Sequence, residues 1–333
     1  MIKIFEMKKI LVTSYSFKLN PGGASKRNFY ISKYLSKYYD VYLVDWNNIS
    51  LFKNLKKVSN SKFSWTKFFK IILFEKIHVT FSDTIKFALL PLPNLYYTIH
   101  DMREWSKFAR ENFLKKFLLK YIVSKCNKLI TVSFFQKKKI KKIFKKSPYV
   151  IENGLSEDWS IKRIKNKKKI IKNKYIIYVS NFSKNKNHLS LEKQSEIFKG
   201  YKIVLVGRAL NKNGEKIINN LKKNNYIFMN NIKESKLVNL IYYSEFVIFP
   251  SSYEGFGIPV LEAIKLKKKV LVNNVPSLSH FKKFEVVKYV NFNSQLKKSN
   301  ISWAINKNIK KIPLKSVDSW RQISEQIKKL IHV

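Results

Sequence analysis

Hydrophobic positions recur along the chain in two arrays, each alternating short apolar runs with longer stretches of helical spacing. The first array opens with Lys9–Ser14 (KILVTS), an apolar run typical of a parallel strand that is buried on both faces. A segment of helical spacing, Ala24–Tyr38, and a second apolar run, Asp40–Asp45 (DVYLVD), complete a βαβ opening. Further strands of this array are predicted at Lys76–Thr80, Tyr96–Ile99, Lys128–Val132 and Val150–Glu152.

The second array follows a basic, weakly patterned segment, Ser160–Lys174, which we interpret as a linker. Two consecutive arrays of about 150 residues each predict an α/β fold with two doubly wound, Rossmann-like domains. We expect these domains to face one another across a cleft, with ligands at the carboxyl ends of the strands. The predicted strands of the second array are Tyr175–Val179, Lys202–Val206, Asn225–Met229, Phe246–Phe249 and Val270–Val272.

The charge of the chain is strongly positive, with 67 Lys and Arg against 21 Asp and Glu and a formal net charge of +46. Such a balance indicates an anionic partner, either a phosphate-bearing ligand or an anionic membrane surface. The lysines come with abundant Asn, Ile, Phe and Tyr, a mixture that AT-rich coding alone would give. A nucleic-acid partner is disfavoured because the basic residues are scattered and neither zinc-ligand spacing nor an RNP-like aromatic motif is present.

Cysteine content and hydropathy bear on the compartment. The single cysteine, Cys126, rules out an intramolecular disulfide and favours a reducing environment. No apolar run reaches the roughly 18–20 residues that span a bilayer, and the apolar stretch Ile10–Val12 is too short for a signal peptide. We therefore expect a cytoplasmic protein, either free or bound to the inner face of the cytoplasmic membrane.

The segment richest in candidate chemistry is Phe249–Ala263 (FPSSYEGFGIPVLEA). It predicts a strand, the glycine loop Gly255-Phe256-Gly257, and a helix N-terminus, which attracts phosphate through its unpaired N–H groups. Two carboxylates, Glu254 and Glu262, flank this loop, and a carboxylate one turn into the helix suits the vicinal hydroxyls of a ribose. On spacing alone, a simple strand-to-helix turn with a capping Glu explains the same pattern.

This segment resembles the Glu-x7-Glu signature, PSxxEGFGLPxLEA, of the retaining GT-B glycosyltransferases of family four, also called glycosyl transferases group 1. Only Ile258 in place of Leu departs from the part of the signature that is fixed. Other segments resemble the same family in the same order, so that the resemblance covers essentially the whole chain. They are Ile10–Gly23 (first strand and Gly-Gly loop), Tyr97–Asp101 (YTIHD), Leu129–Ser133 (LITVS), Val150–Gly154 (VIENG), Tyr178–Asn187 (YVSNFSKNKN) and the terminal Ser319-Trp320 with its helix.

The resemblance implies a fold and an activity. It implies a GT-B fold with an acceptor-side domain over residues 1–158, a donor-nucleotide domain over 159–316, and a C-terminal helix over 317–333 that packs back toward the first domain. The implied reaction is retaining transfer of a sugar from a nucleoside diphosphate sugar to a hydroxyl of a glycan or lipid-linked acceptor. The setting would be envelope polysaccharide or lipopolysaccharide synthesis, with no metal and no further cofactor. A GT-B-fold sugar-nucleotide epimerase, an inactive scaffold and, less favoured, a basic nucleic-acid-binding protein stay open as alternatives.

The resemblance also assigns site residues. His100 would contact the transferred sugar, Lys186 the diphosphate, and Glu254 the donor sugar, and these three are the implied catalytic residues. Glu262 would bind the donor ribose. The implied donor-binding residues are Gly22, Gly23, Lys184, Arg208, Gly255, Phe256, Gly257 and Glu262.

Two positions depart from the family pattern. Where the family often has an Arg in the donor-phosphate loop, this chain has Asn181, with Lys184 nearby. Where the family often has a further Glu in an S-L-P-E segment, the chain reads S-L-S-H and ends in His280. Arg and Lys are not interchangeable at bidentate sites, so these departures keep the epimerase and scaffold alternatives open.

Two basic amphipathic segments, Phe113–Lys125 and Phe134–Lys146, are predicted helices of the first domain. One interpretation is that their apolar residues face the core and their lysines face water. The other is that they attach the protein to an anionic membrane surface, to which each basic residue contributes about 1 kcal/mol.

Overall fold

The computed structural model describes residues 7–15, 22–106, 112–164, 168–221, 226–306 and 317–332. Contacts divide the chain into two compact units. Unit 1 comprises Met1–Gly154 together with Asp318–Val333, and unit 2 comprises Leu155–Val317.

Unit 1 is built on an eight-stranded sheet in the order β4-β3-β2-β1-β5-β6-β7-β8. Its strands are β1 Lys9–Thr13, β2 Asp40–Val44, β3 Asn48–Lys53, β4 Lys56–Lys62, β5 Ile77–Ser82, β6 Leu95–Ile99, β7 Lys128–Thr131 and β8 Tyr149–Val150. Its helices before residue 154 are α1 Gly23–Leu35, α2 Trp65–Phe74, α3 Ile85–Ala88, α4 Phe113–Lys125 and α5 Phe134–Phe144. The predicted alternation of strands and helices is confirmed in this unit.

Helices cover both faces of this sheet, which explains why its central strands are apolar throughout. Ile10 and Val12 of β1 belong to the core cluster that contains Ile31 of α1. Leu11, between them, points to the other face and belongs to the cluster that contains Phe68 of α2. The unit is therefore doubly wound, as predicted.

An antiparallel ribbon at one edge of the sheet was missed by the sequence analysis. β3 pairs antiparallel with both β2 and β4, and the turn between β3 and β4 holds Asn54 and Leu55 at positive φ. The sequence of β4, KKVSNSK, is polar and almost fully exposed. An edge strand with neither face buried carries no hydrophobic alternation, so the pattern used to find strands was absent here.

Unit 2 has a six-stranded parallel sheet in the order β11-β10-β9-β12-β13-β14. The predicted strands agree with the observed ones to within a residue at each end, and β14 was missed. Ile161–Arg163 of the predicted linker forms a 3-10 turn, and its residues 165–167 lie outside the described residues. The strands are β9 Tyr175–Val179, β10 Lys202–Val206, β11 Tyr226–Met229, β12 Val247–Phe249, β13 Val270–Asn273 and β14 Val287–Val290, and the helices are α6 Lys212–Leu221, α7 Glu234–Tyr243, α8 Ile258–Lys265 and α9 Lys298–Ile305.

The last helix, α10 (Trp320–His332), belongs to unit 1 and packs along α1. The ring of Trp320 stacks on Tyr30 at 5.8 Å between centroids, and Tyr38 donates a hydrogen bond of 2.7 Å to Glu325. Among the described residues, no helix is long and apolar enough to cross a membrane.

Candidate active site

A lysine and a glutamate form a close ion pair at the carboxyl edge of the unit 2 sheet. Lys186 lies in the loop after β9, and Glu254 lies in the loop after β12, which is the parallel neighbour of β9. The Lys186 Nζ lies 2.7 Å from both carboxylate oxygens of Glu254. The two side chains are only 16% and 9% exposed, so water screens the pair weakly. The structure thus brings together two of the three residues that the family resemblance marks as catalytic.

Hydrogen bonds hold the two loops against each other. The hydroxyl of Tyr178 donates to the backbone oxygen of Lys186 at 2.7 Å, and the side-chain amide of Asn185 donates to the backbone oxygen of Tyr253 at 3.0 Å. The backbone N–H of Glu254 donates to the Ser277 hydroxyl at 3.1 Å. The sequence analysis did not single out Tyr178, Asn185 or Ser277. In the sequence, only their position within or beside segments that resemble the family could have drawn attention to them. Their burial could not be predicted, because the burial of a polar residue depends on the tertiary fold.

The glycine loop leads into α8 as predicted. Gly257 is the N-cap residue of α8 and adopts φ +97°, where a side chain would be strained and its Cβ would lie 2.9 Å from Leu278. Within the described residues no side chain caps this helix start. Pro259 has no N–H, and the Val260 N–H donates to the Gly257 backbone oxygen at 3.0 Å, so the N–H groups of the loop and of Ile258 are the ones left to a ligand. Glu262 lies within α8 and is buried, and Gly255 is partly exposed. The predicted order of strand, glycine loop and helix N-terminus is confirmed.

His280, which replaces the family's further Glu, packs among aromatic rings. Its ring stacks on Phe256 at 4.8 Å between centroids and lies 4.1 Å from Phe281. The pKa of His280 is lowered to about 4, chiefly by burial and also by the charge of Lys283, while the Phe256 backbone acts in the opposite direction. The ring is therefore neutral at neutral pH and does not stand in for a carboxylate. It instead supports the buried Phe256 side chain under the glycine loop.

The remaining donor-site residues of unit 2 are exposed cations and loop groups at the same edge of the sheet. Arg208 follows β10 and its side chain is exposed, while its backbone oxygen accepts from Phe182 at 3.0 Å. Lys184 is also exposed. Asn181, at the family's Arg position, accepts a hydrogen bond from the Ser183 hydroxyl at 3.0 Å and so fixes its own loop. In this structure neither Lys184 nor Arg208 contacts the Lys186–Glu254 pair.

In unit 1, His100 lies at the carboxyl end of β6, and its Nε2 lies 3.1 Å from the Asp83 carboxylate. Asp101 accepts from the backbone N–H of Arg103 at 2.9 Å and thus caps the turn that follows. Gly22 is the N-cap residue of α1 and Gly23 is its first residue, and the space around the Gly22 Cα is open. Asn20 and Pro21 of the same predicted loop lie outside the described residues.

One further histidine, His188, lies beneath the Lys186 loop and was not predicted as part of it. Its ring stacks on Phe182 at 4.4 Å, and its Nε2 lies 3.1 Å from the Ser180 hydroxyl. Burial lowers the pKa of His188 to about 3, and the charge of Lys186 acts in the same direction. The folded protein therefore keeps this ring neutral at every pH above about 3.

The depressed pKa of His188 predicts a loss of stability in mild acid. The unfolded state takes up a proton below about pH 6.5, whereas the folded state does not until about pH 3. Stability from this group is full above pH 6.5 and falls as the pH is lowered, by about 2 kcal/mol at pH 5. We expect urea unfolding at pH 7.5 and pH 5 to show this loss in the wild type. His188→Asn should remove about that much of the difference, and an unchanged difference would contradict the assignment.

The fold of the chain is that of GT-B proteins. Sucrose-phosphate synthase from Thermosynechococcus elongatus has a TM-score of 0.75 at 13% identity over 98% of each chain. HepE from Anabaena, solved with UDP and glucose, has a TM-score of 0.73 at 16% identity over 98% of this chain and 99% of its own. At these identities the likeness shows the fold, and the predicted α/β fold class is confirmed.

The sequence model of the glycosyl transferases group 1 family matches residues 160–331, which hold the Lys186–Glu254 pair and α8. The chain belongs to this family. The O-antigen chain mannosyltransferase RfbU of Salmonella typhimurium (strain LT2) is 28% identical over 196 residues, which cover 56% of this chain and 53% of RfbU. The match thus spans about half the length of this curated relative.

Proposed function

We propose that the protein is a retaining glycosyltransferase that moves a sugar from a nucleoside diphosphate sugar to a hydroxyl of a glycan or lipid-linked acceptor. The observation that carries this proposal is the Lys186–Glu254 pair, 2.7 Å apart at the start of the glycine loop before α8. A cation, a carboxylate and a helix N-terminus meet there within the region that the family model matches. These are the groups that a sugar diphosphate requires, since it carries both negative charge and hydroxyls.

The chemistry assigns each group a task. Breaking the bond between the sugar C1 and the phosphate oxygen leaves a nucleoside diphosphate with increasing negative charge, which cations and N–H dipoles stabilise. Lys186 would turn away from Glu254 and bind this diphosphate. The backbone N–H groups of Phe256 and Gly257 would donate hydrogen bonds to the same diphosphate. Glu254 would then accept hydrogen bonds from the sugar, and Glu262 from the ribose. Lys184 and Arg208 are exposed at the same edge and long enough to turn toward the phosphates.

Retention would follow from attack on the face that the diphosphate leaves. The departing phosphate oxygen takes the proton of the acceptor hydroxyl, so the reaction needs no protein base. A glycosidase uses two carboxylates that flank the bond, whereas here the partner of Glu254 before the donor binds is a cation, Lys186. In this proposal positive side chains, and no metal ion, stabilise the leaving group, and the rate should therefore persist in EDTA.

The name of RfbU and the ligands of HepE suggest which substrates to test first. RfbU is named a mannosyltransferase of the O-antigen chain, and HepE was solved with UDP and glucose. We propose a hexosyl nucleotide as donor and a growing envelope glycan as acceptor. Such a glycan carries free hydroxyls and is frequently anchored in lipid.

The first test is ligand-dependent stability. We expect one class among UDP-, GDP- and ADP-sugars to raise the melting temperature, because a ligand that binds only the folded state stabilises it. At 100 times Kd the gain is about 2.7 kcal/mol, or roughly 5–10 °C for a domain of this size. The matching nucleoside monophosphate is the control, since it lacks the diphosphate that Lys186 would bind. Equal shifts with both nucleotides would contradict the assignment of Lys186.

The second test is turnover of the donor that passes this screen, with octyl mannoside and octyl glucoside as acceptor probes. A retaining transferase yields a glycoside with the anomeric configuration of the donor, which NMR identifies. An epimerase would instead convert the sugar nucleotide without any acceptor. An inactive scaffold would bind the donor and release no nucleoside diphosphate. Each result therefore selects one of the three functions.

We further propose that unit 1 attaches to an anionic membrane surface. α4 buries one apolar face through Leu119, Ile122 and Val123, yet Phe113 and Phe117 on its outer side are 84% and 58% exposed. α2 exposes a similar stripe on the same side of the sheet, since both helices pack opposite α1 and α10. The buried face of α4 supports the interpretation that its apolar residues pack in the core. The exposed apolar residues on its outer side support the interpretation that it attaches to a membrane surface. The exposed apolar residues of the two helices are Trp65, Phe69, Leu73, Phe74, Phe113, Leu114, Phe117 and Tyr121.

Vesicle flotation tests this attachment. We expect binding to vesicles that contain phosphatidylglycerol and none to pure phosphatidylcholine, because the lysines beside these rings need anionic lipid. Phe113→Ser with Phe117→Ser should weaken binding about 100-fold or more, since each ring would lose about 1.5–3 kcal/mol of burial in lipid. Leu210→Ser, an exposed apolar residue of unit 2, is the matched control. Flotation without lipid dependence would reject the membrane surface.

A further inference from the structure

Asp83, which the sequence analysis did not single out, lies between His100 and α1. It follows β5, the neighbour of β6 in the sheet, and its side chain is only 5% exposed. Its Oδ2 accepts a hydrogen bond from the Asn28 amide at 2.8 Å and lies 3.1 Å from the His100 Nε2. The Nε2 side of the imidazole therefore contacts a carboxylate that is almost fully buried.

A buried arginine lies within electrostatic range of this carboxylate. Arg27 is 1% exposed, and its Nη1 donates to the Glu152 backbone oxygen at 2.7 Å and to the Asn153 side chain at 3.0 Å. Burial lowers the pKa of Arg27 to about 10, while the negative charge of Asp83 opposes that shift. Arg27 is thus a cation at neutral pH. A buried cation requires a nearby anion, and Asp83 is the acidic residue whose negative charge acts on Arg27.

An ionised carboxylate only accepts hydrogen bonds, so the hydrogen between Asp83 and His100 belongs to the His100 Nε2. In a neutral imidazole, Nδ1 then carries the lone pair and can only accept. The His100 side chain is 23% exposed, so the ring reaches the surface while its Nε2 is held.

We propose that Asp83 is a positioning residue that fixes His100 as the Nε2–H tautomer, so that Nδ1 accepts a hydrogen bond from a hydroxyl of the sugar substrate. This inference rests on the proposed function, in which His100 contacts the sugar. It also specifies the substrate class. A hydroxyl can donate to Nδ1, whereas a carboxylate at the same place, as in a uronic acid, would set two acceptors against each other.

The tautomer can be measured without any substrate. Protein labelled with ¹⁵N-histidine holds five imidazoles, and His100→Gln identifies the signals of His100 in a long-range ¹H–¹⁵N spectrum. In the wild type at pH 7.5 we expect a protonated Nε2 and an unprotonated Nδ1. Asp83→Asn should populate the Nδ1–H tautomer, because the amide it introduces can donate to Nε2. Asn28→Ala keeps the carboxylate and should leave the tautomer unchanged.

Kinetics then tests whether Asp83 acts through His100. Asp83→Asn should lower kcat about 10- to 100-fold, as expected for one charge-assisted hydrogen bond. In the His100→Gln background the same change should have less than about a 2-fold effect, because the group through which it acts is gone. A wild-type Nδ1–H tautomer, an Asp83→Asn spectrum like the wild type, or additive losses would each overturn the proposal. If no donor is turned over while the spectra behave as expected, the pairing is upheld and the proposed function alone fails.

Discussion

Replacing Lys186 by alanine is expected to lower the rate of sugar transfer by about 100- to 1,000-fold, the usual effect of removing one donor that stabilises charge in the transition state. The lysine is confined by its contacts, since its backbone oxygen accepts from Tyr178 and its Nζ lies 2.7 Å from Glu254. The loss should fall on kcat, because the diphosphate gains its charge only as the bond to C1 breaks.

Because Lys186 and Glu254 are in contact, a comparison of the two single variants with the double variant gives a second test of this prediction. Lys186→Ala leaves the buried Glu254 without the cation that lies on it, so Glu254→Gln in the same chain should restore part of the lost melting temperature. In kcat the two changes should be strongly non-additive, as expected for residues in contact.

Lys199→Ala is the matched control, because Lys199 is an exposed lysine of unit 2 and has no assigned role. Initial rates at saturating donor and thermal unfolding curves decide the matter for five proteins: the wild type, Lys186→Ala, Glu254→Gln, the double variant and Lys199→Ala. Full transfer activity in Lys186→Ala would show that the pair does not take part in the chemistry.

The fold was predictable wherever burial fixed the residue pattern. α4 was predicted at Phe113–Lys125 and is observed there, and β9 and β10 have their predicted bounds. Parallel strands covered on both faces are apolar throughout, and this pattern depends only on local sequence. The ribbon strand β4 was missed because it has no buried face, and its pairing with β3 depends on a turn and on neighbouring backbone.

The residues of the candidate site were predicted from the family resemblance and not from spacing. Lys186 and Glu254 are 68 residues apart in sequence, and no periodicity relates them. What brings them together is that β9 and β12 are neighbours in a parallel sheet, so the loops that follow them share one edge.

Asp83 and Tyr178 were missed for a different reason. Asp83 directly follows an apolar strand and Tyr178 lies near the end of another, and the sequence does not show that their polar atoms are held by buried partners. Their importance arises from partners on other elements, such as Arg27 of α1 for Asp83. The positive charge of the chain likewise indicates function only at individual residues. Lys186 and Arg27 are cations with buried partners, and the net charge of +46 does not by itself point to them.

Gly207→Ala is expected to destabilise unit 2 by about 3–5 kcal/mol, which is at the upper end for a single substitution. A Cβ at this position would lie 1.7 Å from the backbone oxygen of Ser180. That oxygen cannot move away, because the Ser180 N–H donates to Val206 at 2.9 Å and the Phe182 N–H donates to Arg208 at 3.0 Å. The backbones after β9 and β10 are thus held together on both sides of Gly207, and only a residue without a side chain fits between them.

Gly200→Ala separates this steric effect from backbone strain. Gly200 lies in the same unit at φ +90°, but the space around its Cα is open. Its substitution should therefore cost only about 1–2 kcal/mol, the penalty for a left-handed backbone. Urea unfolding followed by circular dichroism compares the two variants with the wild type. Because the displaced segment leads directly to Lys186, Gly207→Ala should also lose the thermal stabilisation by the sugar nucleotide, whereas Gly200→Ala should keep it. Equal stability losses in the two variants would mean that the close approach at Gly207 does not constrain this edge of the sheet.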